Sequence, residues 1–149
     1  MTGMEIRAAT AADLDAIDEL EKHSFKKPWP RETFAAELER EWARLDVVRD
    51  DRGRLLAFCN YWIVAPELHV LAIATHPDAR GRGVARELLA HVLASAATAG
   101  CTLATLEVRA GNRPAIALYE RAGFQTVHVR ARYYQDDEED ALVMLRGLS

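Results

Sequence analysis

Apolar positions along this chain keep two rhythms, one near two residues and one near 3.6, and the switches between them mark its elements. Residues 4–9 read as a short strand around Ile6. Thr10 then offers a helix N-cap, with Asp13 three positions on as an approximate capping box. Leu14, Ile17 and Leu20, followed by Glu21, carry helical spacing to about His23. Pro28 and Pro30 break that helix, and Pro30 is placed to open the next. In this second helix Phe34, Leu38 and Trp42 fall four apart and predict its buried stripe. Residues 45–49 are strand-like, and Asp50-Asp51-Arg52-Gly53 reads as a hairpin turn. Two longer β-type runs, 55–64 and 68–75, flank Ala65-Pro66-Glu67 and predict a second hairpin.

After a loop over 76–83, Val84, Leu88, Leu89, Val92 and Leu93 form an amphipathic stripe that ends near Gly100. Residues 102–109 are a strand with Leu103, Leu106 and Val108 apolar. Asn112 can cap a helix beginning Arg113-Pro114, and Gly123 supplies its left-handed stop. Strands over 124–130 and 141–145 close the chain, joined by an acidic stretch over 134–140. The order β-α-α-β-β-β-α-β-α-β-β gives an α/β domain with a mixed sheet. At 149 residues, half of them hydrophobic, the chain predicts one domain over 1–149.

Net charge is −4, against the basic face that a nucleic-acid binder needs, though compatible with a cationic substrate. Cys59 and Cys101 each sit in an apolar run and predict buried thiols. The five histidines lack metal-ligand spacing, so no metal is expected. The N-terminal residues carry no signal-peptide pattern, and no apolar run reaches membrane-spanning length, so a cytoplasmic protein without membrane partners is the expectation.

The most specific feature is Arg80-Gly81-Arg82-Gly83-Val84-Ala85, between a strand and a long helix. Glycines there let the backbone turn tightly and approach a ligand. The first helical amides have no internal partner, and the helix dipole is positive at that end. Together they form a phosphate cradle, to which Arg80, Arg82 and Arg86 can add charge-assisted hydrogen bonds. The alternative is a glycine-rich turn that merely starts a helix.

That segment resembles the pyrophosphate-binding motif, Gln/Arg-x-x-Gly-x-Gly/Ala, of the GCN5-related N-acetyltransferases. The element order is similar to that family over essentially the whole chain. Further segments resemble its RimI branch, whose members acetylate the N-terminal amine of a ribosomal protein. They are Phe25-Lys26-Lys27-Pro28-Trp29, residues 106–112 with 117–124, and Arg132-Tyr133-Tyr134 with Glu139-Asp140-Ala141. Ala85 stands where many members have glycine, though alanine is common there. The resemblance implies acetyl-CoA as donor. It also implies that Ile73, Ala74 and Thr75 serve the pantetheine arm and thioester, that Gly81, Arg82, Gly83, Val84, Ala85 and Arg86 hold the pyrophosphate, and that Asn112 reaches the cofactor from the far side.

Acetyl transfer to an amine needs a proton acceptor, donors for the developing oxyanion and a proton for the leaving thiolate. Glu107 lies between Leu106 and Val108, so its carboxylate points to the face opposite those two. Burial there would raise its pKa toward a useful range. The other reading is a strand carboxylate paired with an arginine such as Arg109. Tyr119, in the helix after Asn112, can donate a proton or can be a core tyrosine with its hydroxyl at the rim. The resemblance implies that Glu107 is the base, directly or through water, and Tyr119 the acid. It places the oxyanion donor on the main chain near Ile73 to Thr75.

The acceptor should lie between residues 25–29 and residues 132–140. Tyr133 and Tyr134 could wall a slot for an extended peptide, and the acidic run over 136–140 could draw in a cationic terminus or be a solvated loop. The leading expectation is acetylation of the N-terminal alanine of a small-subunit ribosomal protein. A small amine such as a polyamine or an aminoglycoside is an alternative acceptor, and a non-catalytic CoA-binding module a third reading.

Overall fold

The computed structural model describes residues 3–134 and 139–148. Seven strands form one sheet: β1 (Met4–Ala8), β2 (Ala43–Asp50), β3 (Leu55–Val64), β4 (Glu67–Thr75), β5 (Leu103–Arg109), β6 (Gln125–Tyr134) and β7 (Glu139–Gly147). The helices are α1 (Leu14–Ser24), α2 (Arg31–Glu39), α3 (Val84–Thr98) and α4 (Arg113–Arg121). The sheet order is β1-β2-β3-β4-β5-β7-β6, and every neighbouring pair is antiparallel except β4 with β5. Those two are joined by α3, the right-sized crossover for a parallel pair. The α/β domain with a mixed sheet expected from the element order is the observed one, and most of its pairings are antiparallel.

Helices cover both faces. Along β3, Ala57, Cys59 and Tyr61 enter a core with Val84, Leu88, Leu89 and Val92 of α3 and Tyr119 of α4. Phe58 points the other way, to a second core with Leu14, Ile17 and Leu20 of α1 and Phe34 of α2. Period-two alternation thus sorts neighbouring residues between two hydrophobic layers. The two cysteines are free and buried, as expected.

Several charges are buried, each with partners. Asp13 is 1 % exposed and accepts from Arg7 at 2.9 and 3.0 Å, from Arg49 at 2.7 and 3.0 Å, and from the Thr10 N–H at 2.8 Å. It ties the start of α1 to β1 and β2. The capping signal at Thr10 is therefore real, but it opens a 3-10 turn over Ala11–Asp13 before α1 begins at Leu14. Glu37 of α2 accepts from Arg40 at 2.7 Å, Asn60 at 3.0 Å and Trp62 at 2.7 Å.

The predicted stripe of α2 needs correction. The helix stops at Glu39 with Arg40 extended, so Trp42 lies beyond it and is 47 % exposed. Glu37, neutralised by its three donors, takes the buried position instead. The closing hairpin is longer than its apolar pattern. Arg132 has φ 53°, a left-handed kink that interrupts the register, and pairing resumes at Tyr134↔Glu139.

The Arg7 hydrogen bonds, with those from Thr10 and Arg49, hold the Asp13 carboxyl well below the usual carboxylate range against the cost of burial. The unfolded chain then binds more protons than the folded one, so this stabilisation is complete above that range and fades as pH falls through it. Asp13→Asn is expected to cost about 2 kcal/mol at neutral pH. Urea denaturation across pH should show the gap to wild type closing below about pH 4.

Candidate active site

Strands β4 and β5 pair only from Glu67↔Leu103 to Val70↔Leu106. At that point β4 carries a bulge: Asn60 of β3 pairs with Ala72 and Tyr61 with Val70, leaving Leu71 extra. The bulge resets the phase of β4. Leu68 and Val70 face the α3 core before it; Ile73 packs on that core after it, while Ala72 and Ala74 join the α1 core. Bulges bend a strand and increase its twist. From Leu71 onward β4 stays with β3 and leaves β5, opening one of its edges inside the molecule.

A cavity of about 450 Å³ fills the parting. Its walls are β4 from His69 to Ile73 and β5 from Thr105 to Arg109. Glu21, Phe25, Lys26, Lys27 and Trp29 close it on the α1 side, Asn112, Ala115 and Tyr119 on the α4 side, and Tyr133 comes from β6.

Glu107 and Tyr119, singled out from sequence, both line this cavity. Ala104, Leu106 and Val108 of β5 face the α3 core, so Glu107 faces the α1 side. The Glu107 side chain is 33 % exposed and paired with an arginine. Its partner is Arg130, at 3.5 Å, and not Arg109, which pairs with Glu139 at 3.3 Å. Arg109 shares the face of Glu107 two residues on along the strand, but the β7 neighbour claims it. Tyr119 is 6 % exposed and reaches the cavity from the opposite face, its ring edge-on to Phe124 at 5.9 Å.

The cofactor candidates divide. Ile73 and Asn112 line the cavity, and the Asn112 side-chain oxygen caps α4 through the Ala115 N–H at 3.3 Å. The Ala74 side chain is buried in the α1 core, leaving only its main chain for a ligand. Thr75 pairs with Ala57, and its carbonyl accepts from Arg80 Nε at 3.4 Å. Arg80 therefore braces the loop from within. Gly81 and Gly83 hold left-handed φ of 78° and 77°, and Gly83 is the N-cap of α3. Glu87 N–H donates to the Gly83 carbonyl at 3.0 Å, so the amides of Val84, Ala85 and Arg86 precede the first helical bond. Val84's side chain is buried while Arg82 and Arg86 are exposed, so this turn offers main-chain donors flanked by two guanidinium groups. That is the donor set a diphosphate requires. The turn lies outside the cavity and joins it through residues 73–75.

Of the acceptor-side candidates, Trp29 packs on Phe34 at 5.7 Å and Tyr133 stacks under the Arg130 guanidinium at 5.1 Å. Glu139 accepts from the Gly111 N–H at 2.8 Å and Asp140 from the Arg132 N–H at 3.0 Å, so these two serve the local fold. Residues 135–138 and the Tyr134 side chain lie outside the described residues. Sequence reasoning missed Glu21 as a cavity residue; only its place at the end of the α1 stripe, just before the two-proline break, marked it.

Residues 14–124 match the acetyltransferase (GNAT) family. The chain belongs to that family. Among GNAT relatives, it is 35 % identical over 146 residues to the [ribosomal protein bS18]-alanine N-acetyltransferase of Salmonella typhimurium, covering 97 % of each chain. It is 33 % identical to the protein of the same name from Escherichia coli, again with 97 % of each covered. The crystal structure of the ribosomal-protein-S18-alanine N-acetyltransferase from Escherichia coli superposes with a TM-score of 0.89, over 98 % of this chain and 94 % of that one. The protein is an N-acetyltransferase. Among the described residues no cluster of His, Cys, Asp or Glu could hold a metal, and no helix is long and apolar enough to cross a membrane.

Alanine at position 83 would have to adopt a left-handed conformation at the N-cap of α3, with its Cβ 3.4 Å from the Arg86 guanidinium. Gly83→Ala is expected to destabilise the GNAT domain by about 1 kcal/mol. A lower melting temperature, with weaker acetyl-CoA binding by calorimetry, would bear this out.

Proposed function

We propose that this GNAT enzyme transfers acetyl from acetyl-CoA to the N-terminal α-amine of a protein, with the N-terminal alanine of a small-subunit ribosomal protein as acceptor. One observation carries the reading: the cavity passes between β4 and β5, with Glu107 on the α1 side and Tyr119 on the α4 side. The likeness in sequence to ribosomal-protein-alanine N-acetyltransferases over 97 % of the chain supports the choice of acceptor.

Acetyl-CoA supplies a thioester at the parting of the strands. Its diphosphate is held by the amides of Val84, Ala85 and Arg86, with Arg82 and Arg86 adding charge. Its pantetheine arm runs along the freed edge of β4, main chain to main chain, in the manner of an added strand. The acceptor enters beside Phe25 and Tyr133. Glu107 takes a proton from its ammonium, directly or through a water, so that nitrogen can attack the carbonyl carbon. Main-chain N–H groups of β4 near the bulge and Ile73 stabilise the oxyanion as it forms. When the tetrahedral centre collapses, the Tyr119 hydroxyl gives its proton to the departing sulfur, and the second proton of the attacking nitrogen passes through water to restore the phenol, leaving a neutral amide.

The division of labour between faces suits a direct transfer. Base and amine share one side of the sheet, acid and sulfur the other, and the acetyl carbon sits in the gap.

Glu107→Gln and Tyr119→Phe are each expected to lower kcat about 100-fold at saturating acetyl-CoA and acceptor, with melting temperature unchanged. Near-normal kcat in both would end the assignment. Thiol release should be followed with an alanine-starting ribosomal-protein peptide, a lysine peptide with a blocked terminus, and spermidine. Turnover is expected with the first; turnover with spermidine alone would make the small-amine reading correct.

A further inference from the structure

Glu21 stands apart from the other buried carboxylates. It is 3 % exposed at the end of α1, and it is among the residues that line the cavity on the α1 side, with Phe25 and Trp29. One oxygen, Oε2, accepts from the Trp29 N–H at 2.9 Å and holds the α1–α2 loop in place. The other, Oε1, is shielded from bulk water and has no hydrogen-bond partner. Asp13 and Glu37, equally buried, are met by several donors each. A buried carboxylate oxygen without a donor is destabilising, so the fold carries this oxygen at a loss unless something else supplies the donor. A buried polar atom left unsatisfied in a native fold calls for an explanation, and a functional role is one.

The α1 face is also the face of Glu107. An acceptor whose amine lies at Glu107 runs back along the cavity toward Phe25 and Trp29, where Glu21 lies. Oε1 can reach such an acceptor by a turn about the last side-chain bond, a soft torsion. We propose that Glu21 is an acceptor-positioning residue, its Oε1 accepting a hydrogen bond from the first residue unit of the incoming chain, through either the α-ammonium or the amide N–H that follows it. This rests on the peptide reading above. Lys26 and Lys27 line the same end of the cavity without meeting Oε1. The contact acts on binding and register, while proton transfer stays with Glu107.

Glu21→Gln tests it, because the glutamine carbonyl can still accept from Trp29 and the amide NH2 then replaces the free acceptor with a donor. Wild-type turnover of the alanine-starting peptide establishes the peptide reading independently. Given that turnover, the variant should raise peptide KM at least tenfold, with kcat, acetyl-CoA KM and melting temperature within twofold or two degrees of wild type. A peptide KM within twofold of wild type would overturn the proposal, as would a fall in kcat with KM unmoved. A peptide N-methylated at its second residue, given to the wild-type enzyme, probes the contact without any substitution. A KM raised to that of Glu21→Gln assigns the donor as the amide, and an unchanged KM together with a raised KM in the variant assigns it as the ammonium.

Discussion

The structure turns on a parallel pairing that lasts four residues and then stops. Between Val70↔Leu106 and the ends of both strands, β4 and β5 have no ladder between them. An unpaired strand edge is normally a liability at the rim of a sheet; here it lies in the middle, walled by helices on both faces. The bulge at Leu71 makes this possible, because it changes the direction of β4 without loosening its grip on β3. Pairing with β3 resumes at Ala72 and runs to Thr75, delivering the chain to the Gly81–Gly83 turn. The cavity and the freed main-chain groups are thus consequences of one inserted residue.

The buried charges show how the walls of that opening are kept in place. Asp13 anchors the front of α1 to β1 and β2, and Glu37 anchors α2 to β3. Both are held by arginine and by neutral donors, so neither leaves a bare charge in the core. Asp46 is buried as well and accepts from the Tyr61 hydroxyl, with His91 at 3.6 Å; burial still pushes its carboxyl above the ordinary range. Burial likewise raises the Glu21 carboxyl, against a single Trp29 N–H. The difference between Glu21 and the rest is location. Asp13 and Glu37 sit where elements meet one another, while Glu21 sits at the wall of the cavity.

Much of this was legible from side-chain rhythm. The strand and helix order, the turn at residues 50–53, the cap at Asn112 and the left-handed stop at Gly123 follow from local chemistry, which acts over a few residues. The parting of the sheet does not, since it depends on which strands become neighbours and on a register shift that Leu71 does not announce. Glu107 and Tyr119 were named from motif resemblance, and the structure brings them to one cavity. Arg130 as the partner of Glu107 could not be read, because β6 and β5 are separated by β7 in the sheet and meet only through long side chains. Trp42 misled for a related reason. Four-residue spacing predicts a stripe only while the helix lasts, and the tertiary contacts of Glu37 decide where it ends.

The arrangement also bears on why a peptide terminus, and not any amine, suits the opening. A small diffusible amine needs only the base, the thioester and room to enter. This cavity extends well past Glu107 along the α1 face, to Phe25, Trp29 and Tyr133, which are apolar or aromatic surfaces suited to a chain. A peptide puts its obligatory charge at the terminus and carries neutral main chain behind it, which suits a lining that continues from Glu107 to those surfaces. Length and apolar lining, more than charge, are the features of this opening that favour a chain over a small amine.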